Sequence, residues 1–239
     1  MGRVTLVWFS IPLGFLWSLS AFAQNRTVAI TVDDLPYASV GAVSSSDAVV
    51  AKEINRKILS ALRHHDAPVT GFVIQTGVED LGPTAAIQIL RNWTRGEFDL
   101  GNHTYSHQDA NRLSLTELED ETIKGETGFV PLMKQAGKKP EFFRFPMNHT
   151  GETEQKHEKV AAFLTQRGYR VATCTIDNSD CLFNAACVPT LAGHESSVRR
   201  LRMEYRSYTS AESDYYAGVE QRDSRATSRP KSCSCTITV

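Results

Sequence analysis

Four polar clusters in this 239-residue chain combine residue types and spacings that suit chemistry. Asp33 and Asp34 stand together directly after the β-branched run Thr27 to Val32. Two adjacent carboxylates at an apolar strand end can divide the work: one binds a cation and the other takes a proton from water. The same pair can also do no more than end a strand and open a turn. His103 and His107 lie four apart in His-Thr-Tyr-Ser-His. On a helical turn that spacing faces both imidazoles to one side, where they can share a metal. A zincin protease needs Glu directly after the first histidine, and Thr104 stands there instead. Arg144, followed by Phe145 and Pro146, offers a planar, permanently charged guanidinium suited to holding a carboxylate, or a plain salt bridge at a rigid turn. Asp177 and Asp180 flank Asn178 and Ser179, a group that also suits an ordinary turn. His64 and His65 fall on an expected helix surface, and His149, His157 and His194 read as surface residues rather than ligands.

The elements expected around these clusters alternate. Thr27 to Val32 predicts a first strand, and Asp47 caps a helix reaching about His65, with Val50, Ile54, Ile58 and Leu62 on one face. Val69 to Ile74 predicts a strand and Thr84 to Trp93 a helix. Phe98 to Gly101 predicts a short strand leading into His103. Ser114 with Glu117 forms a capping box for a helix from Leu115. Phe142 to Phe145 is a short strand, Glu152 to Gly168 a helix, Arg170 to Ile176 a strand, and Ser196 to about Val219 a long charged helix. Strand, helix, strand, helix implies a mostly parallel sheet or barrel. In such folds function gathers at the C-terminal ends of strands, where all four clusters fall.

In this order, Thr-Val-Asp-Asp, His-Thr-Tyr-Ser-His, Arg-Phe-Pro and Asp-Asn-Ser-Asp resemble the motifs of the NodB-like polysaccharide deacetylases, carbohydrate esterase family 4. The resemblance spans Thr31 to Asp180. It implies an α/β fold, a distorted (β/α) barrel, and a metal-dependent enzyme that removes N- or O-linked acetyl groups from a carbohydrate such as peptidoglycan, chitin oligomers or xylan. Carried over residue by residue, it makes Asp34, His103 and His107 the ligands of a divalent metal, usually zinc. Two imidazoles, one carboxylate and an open position suit a catalytic zinc, which brings the pKa of its water toward ~7. Asp33 becomes the general base and Arg144 the residue that orients it. The backbone N–H of Met147 becomes an oxyanion donor, one such donor being worth roughly 3 kcal/mol. Asp180 is implied to tune a histidine in a fifth motif, Leu-x-His or Leu-His. Val32 replaces the usual Phe of the first motif, and Cys181 stands where an aromatic usually follows the fourth.

The fifth motif is missing from the tail. After Gln221 the composition turns abruptly basic, with Arg222, Arg225, Arg229 and Lys231 against Asp223. Back-translation of Arg225 to Val239 with chosen synonymous codons, read two bases later, yields Gly-Tyr-Glu-Pro-Pro-Glu-Val-Met-Leu-Leu-His-Asp-Asn-Arg. That string holds an apolar strand ending in Leu-Leu-His, so a frameshift at or just after Gln221 is the expectation, and the nucleotide sequence tests it. On this reading the barrel is incomplete at its C-terminal end, and residues 222–239 form an aberrant or disordered tail. Loss of the acid lowers the rate by about 10²–10⁴. The alternative reading is a catalytically inactive remnant that binds metal or glycan. A two-metal phosphoesterase would need more ligands than the strand ends supply.

Composition and targeting set the remaining bounds. Lys and Arg number 26 against 27 Asp and Glu, a formal charge of -1, which argues against a nucleic-acid or membrane-surface partner. Hydrophobic residues at 41% and charged residues at 22% exclude global disorder. Five cysteines are too few for a disulfide scaffold, although Cys181 and Cys187 are candidates to pair. Residues 1–23 read as a signal peptide, with Arg3, the apolar run Val4 to Leu19, and Ala21 and Ala23 at the cleavage site. The run is short for the ~20 residues of a membrane span. A secreted protein, periplasmic or extracellular and without a stable membrane anchor, is therefore expected, with its deacetylase-like domain over residues 24–221.

Overall fold

The computed structural model describes residues 28–38, 46–190, 195–226 and 233–238. The signal peptide reading, residues 1–23, lies outside them. The first strand, β1 (Val28–Leu35), puts Val32 and Leu35 fully into the main core. Asp47 Oδ1 accepts the N–H groups of Val49 and Val50 and starts α1 (Ala48–His64), whose inner face carries Ala51, Asn55, Leu59 and Leu62. There follow β2 (Val69–Val73), α2 (Gln75–Leu81), α3 (Pro83–Leu90), a 3₁₀ turn at Arg91–Thr94 and β3 (Phe98–Asn102). The next elements are α4 (Leu115–Gly125), α5 (Val130–Gln135), β4 (Phe142–Phe143) and α6 (Glu154–Gln166). The capping box at Ser114 is complete on both sides. Gly168, at φ 85°, turns the chain out of α6 toward β5 (Arg170–Val171). The remaining elements are β6 (Ile176–Asp177), α7 (Asp180–Thr190), α8 (Glu195–Ala226) and β7 (Cys233–Thr238).

All strand pairings are parallel, in the order β5-β4-β3-β2-β1-β7-β6. The strand expected over Arg170 to Ile176 is split in two. Val171 ends β5 at one edge of the sheet and Ile176 opens β6 at the other. Five residue steps span at most about 17 Å, so the short segment between them draws the two edges toward each other. The sheet is thus curled into a distorted (β/α) barrel left open between β5 and β6.

Two expectations at the C-terminal end are corrected. The tail over 222–239 is not structureless where it is described. Residues up to Ala226 complete α8, and Cys233–Thr238 forms β7 between β1 and β6. Cys235 stands opposite Ile30 on one side and Ile176 on the other. The Thr-Ile-Thr sequence at 236–238 is β-branched and suits this slot, and it covers what would otherwise be an open edge of β1. Cys181 and Cys187 are not joined by a disulfide. Both lie on α7, where a separation of six residues places their Cα atoms about 9 Å apart along the axis, beyond the ~7 Å reach of a bridge.

A buried polar bridge fastens α1 beneath this sheet. Asn55 Nδ2 donates to the carbonyls of Pro36 (2.8 Å) and Ala51 (2.9 Å), and Asn55 Oδ1 accepts Trp93 Nε1–H at 2.8 Å. Asn55→Leu strands the Trp93 N–H and the Pro36 carbonyl in the core. The expected loss is about 1–3 kcal/mol, read as a lower midpoint in denaturant unfolding with an unchanged slope.

Candidate metal and acid–base site

The C-terminal ends of β1, β3 and β4 bring the first three clusters together. Asp34 Oδ1 lies 3.5 Å from Nε2 of His103 and 3.5 Å from Nε2 of His107. One ligand atom from each of Asp34, His103 and His107 lies within 4.8 Å of the others. Asp34 Oδ1 is buried and has no hydrogen-bond partner. A buried carboxylate oxygen left so is costly, and a cation between it and the two imidazoles removes that cost.

The His-Thr-Tyr-Ser-His segment is a loop, not the helical turn expected from its spacing. Thr104 and His107 sit at φ 72° and 56°. Neighbouring elements hold this unusual path, the kind of local strain that collects at functional sites. Asn102 Oδ1 accepts the Thr104 N–H at 2.8 Å, and Thr104 Oγ1 accepts the His107 N–H at 3.1 Å. Glu121 on α4 accepts the Ser106 N–H (2.8 Å) and hydroxyl (2.9 Å). Gly125 allows α4 to press directly beneath the loop: a Cβ there would stand 2.6 Å from Asn102 Oδ1 and 2.8 Å from the Thr104 carbonyl carbon.

The tautomer of His103 is set from behind. Its Nδ1 lies 2.9 Å from the backbone carbonyl of Arg144, an acceptor only, so Nδ1 carries the proton and Nε2 presents its lone pair to Asp34. Burial pushes the His103 pKa down to about 4 against the opposing pull of Asp34, which keeps the ring neutral near pH 7. A neutral imidazole fixed through its second nitrogen is what a metal requires.

Asp33 turns to the other side of this centre. Arg144 Nη1 lies 3.0 Å and 3.3 Å from its two carboxylate oxygens and donates also to Thr31 Oγ1 at 2.8 Å. The Arg144 Nε donates to the Ala172 carbonyl, and its guanidinium carbon sits 4.6 Å from the centre of the Phe72 ring. The guanidinium, 1% exposed, is thus held through both Nη1 and Nε. Burial pushes the Asp33 pKa up to about 6, Arg144 pulls it down, and Asp177 adds a small upward push. Asp33 Oδ2 is 4.0 Å from His103 Nε2, so this carboxylate adjoins the same cluster.

Met147, with φ 56° and a half-exposed side chain, follows Pro146 on a short 3₁₀ turn at the end of β4. Asp180 is placed elsewhere. It opens α7 and lines a cavity of 240 Å³ between α7 and α8, with Phe183, Cys187, Leu201 and Tyr205, away from the metal cluster's own residues. The carboxylate of the fourth cluster that acts on Asp33 is Asp177, at the end of β6. Its position directly at a strand end was the available signal. Loop 178–179 is clamped by α8: Asn178 Nδ2 donates to Tyr205 Oη at 2.7 Å, and Ser179 Oγ lies 3.3 Å from Tyr208 Oη.

Known proteins share this arrangement of chain. The chain is 25% identical over 172 residues to a peptidoglycan-N-acetylglucosamine deacetylase of Bacillus cereus, covering 72% of this chain and 52% of that protein. It is 26% identical over 170 residues to a chitin deacetylase of Arthroderma benhamiae, covering 69% of this chain and 40% of that protein. It therefore spans about half the length of the curated relatives it matches. Among solved structures, a polysaccharide deacetylase from Bacillus cereus superposes with a TM-score of 0.51 at 17% identity, over 89% of this chain and 79% of that one. A mutant of a carbohydrate esterase family 4 pseudoenzyme gives 0.51 at 15% identity, over 90% and 57%. At these identities the structural likeness shows the fold. Residues 22–176 match the family described as polysaccharide deacetylase, and with β1 through β6 inside or bordering that span, the chain belongs to this family.

Proposed function

We propose that the chain is a zinc-dependent hydrolase, exported through the segment 1–23, that removes acetyl groups from an acetylated carbohydrate outside the cytoplasm. The observation that carries this reading is the buried, unpartnered Asp34 Oδ1 held 3.5 Å from two imidazoles, with a second carboxylate beside it. The family supports deacetylation, and its named relatives act on peptidoglycan and chitin. The donor set of two imidazoles and one carboxylate fits zinc with a position left open.

Asp34, His103 and His107 would hold the metal. Bound there, it supplies positive charge that polarises an acetyl carbonyl and acidifies water. The other steps belong to the chain. Arg144 fixes the direction of the Asp33 carboxylate, which takes a proton from the attacking water. The Met147 N–H donates to the oxyanion that builds up on the acetyl oxygen. Acetate then departs, and the sugar nitrogen or oxygen needs a proton.

Acetate release from a mixture of N- and O-acetylated glycans tests this reading. The expected result is release that a chelator abolishes and zinc restores. Stoichiometric zinc binding without release from any glycan would favour the remnant reading.

A further inference from the structure

A histidine outside the metal cluster is set up for proton transfer. His149 Nδ1 lies 2.8 Å from Asp109 Oδ1. Asp109 also accepts the Asn111 N–H at 2.9 Å, and its Oδ2 stands 3.6 Å from Arg112 Nε. Asn111 Oδ1 accepts the Gly151 N–H at 3.0 Å, so two bonds tie the loop after β3 to the loop after β4. Asp109 follows His107 by two residues, and His149 follows Met147 by two. Two residue steps reach at most about 7 Å, so the pair stands at the rim shared by a metal ligand and the oxyanion donor. The Asp109 side chain is 15% exposed and that of His149 is 45% exposed. The carboxylate is thus sheltered while the imidazole opens to solvent. Asp109 holds Nδ1–H and leaves Nε2 without a part in that contact, the carboxylate–imidazole relation that serves general acids and bases.

We infer that His149, oriented by Asp109, is the proton donor to the leaving group. The inference rests on the proposed deacetylation. In that step water oxygen bonds to the acetyl carbon and its proton passes to Asp33. The bond from that carbon to the sugar nitrogen breaks, and the nitrogen takes the electron pair together with the proton from His149 Nε2. Products are the amine and acetic acid, which loses the second proton of the water to solvent and leaves as acetate. Asp33 then releases its proton to solvent and His149 regains one.

The test compares two leaving groups on the zinc-loaded chain. An N-acetylglucosamine oligomer expels an amine that must be protonated, whereas 4-nitrophenyl acetate expels a phenolate that needs no proton. In His149→Asn the amide N–H replaces Nδ1–H against Asp109, so the loop tie is kept and Nε2 is lost. The expected result is a fall in kcat on the oligomer of about 10²–10⁴. Aryl ester hydrolysis should stay within about twofold, since its leaving group asks for no acid. Zinc affinity and melting temperature should be retained. Where the melting temperature of His149→Asn falls, His149→Gln supplies the same comparison. Equal losses on both substrates, or loss on neither, overturn the inference. So does a chain that cleaves the aryl ester in a chelator-sensitive way and never the oligomer, an outcome that leaves the metal site's chemistry standing. Failure on both substrates with zinc bound overturns the deacetylase reading itself.

Discussion

Asp34→Asn should abolish tight zinc binding while making the metal-free protein more stable. The two effects share one cause. Asp34 Oδ1 is buried without a partner and faces two imidazole nitrogens at 3.5 Å. Without a cation this is an uncompensated arrangement, and removing the charge relieves it by about 1–3 kcal/mol. Asn also tolerates the left-handed backbone at φ 61°, so the substitution adds no strain. With zinc the order reverses. A free metal concentration one hundred times Kd stabilises the parent by about 2.7 kcal/mol. Loss of the anionic ligand weakens binding by more than the ~10–100-fold that follows loss of a residue hydrogen-bonded behind a ligand. Thermal melting with and without zinc, alongside a zinc titration, reads both. A variant that melts lower than the parent without metal and still gains from zinc would exclude Asp34 as a ligand.

Asp33→Asn should leave zinc affinity near that of the parent and lower acetate release by about 10²–10⁴. Asp33 is held by Arg144, which contacts both its oxygens, and its nearer oxygen still stands 4.0 Å from His103 Nε2. Asn keeps the shape and accepts one Arg144 bond, but it takes no proton from water. In the parent, burial raises Asp33 to about 6. A carboxylate is a base only when deprotonated, so the rate should climb as pH rises through the Asp33 pKa and level off above it. A bound cation pulls that pKa down, which puts the midpoint at or below about pH 6. The profile of the parent should show this acid limb and that of Asp33→Asn should not. An unchanged profile in the variant would assign the base elsewhere.

Much of the site is legible in the sequence. Asp33 and Asp34 lie near the C-terminal end of β1, Arg144 directly follows β4, and His103 directly follows β3. A parallel sheet delivers such positions to one end. The helices around them were legible for local reasons too: Asp47 and Ser114 cap their own helices within three residues. The spacing of His103 and His107 predicts two imidazoles on one side of a helical turn; the two do meet at Asp34 Oδ1, but on a loop. The turn is made instead by Asn102 and Glu121, and the contribution of Glu121 depends on α4 arriving from elsewhere in the chain.

What the chain's own order determined, then, is the set of groups that meet: two carboxylates, two imidazoles and a guanidinium at strand ends. Their types and their places after strands are local properties, and period and propensity act over a few residues. The tertiary structure alone decided the rest. It split 170–177 between opposite sheet edges, brought Asp177 within electrostatic reach of Asp33, seated β7 beside β1, and joined His149 to Asp109 across 40 residues of sequence. Each of these depends on strand register or on loops meeting through the folded barrel, and such contacts are fixed by packing between distant segments.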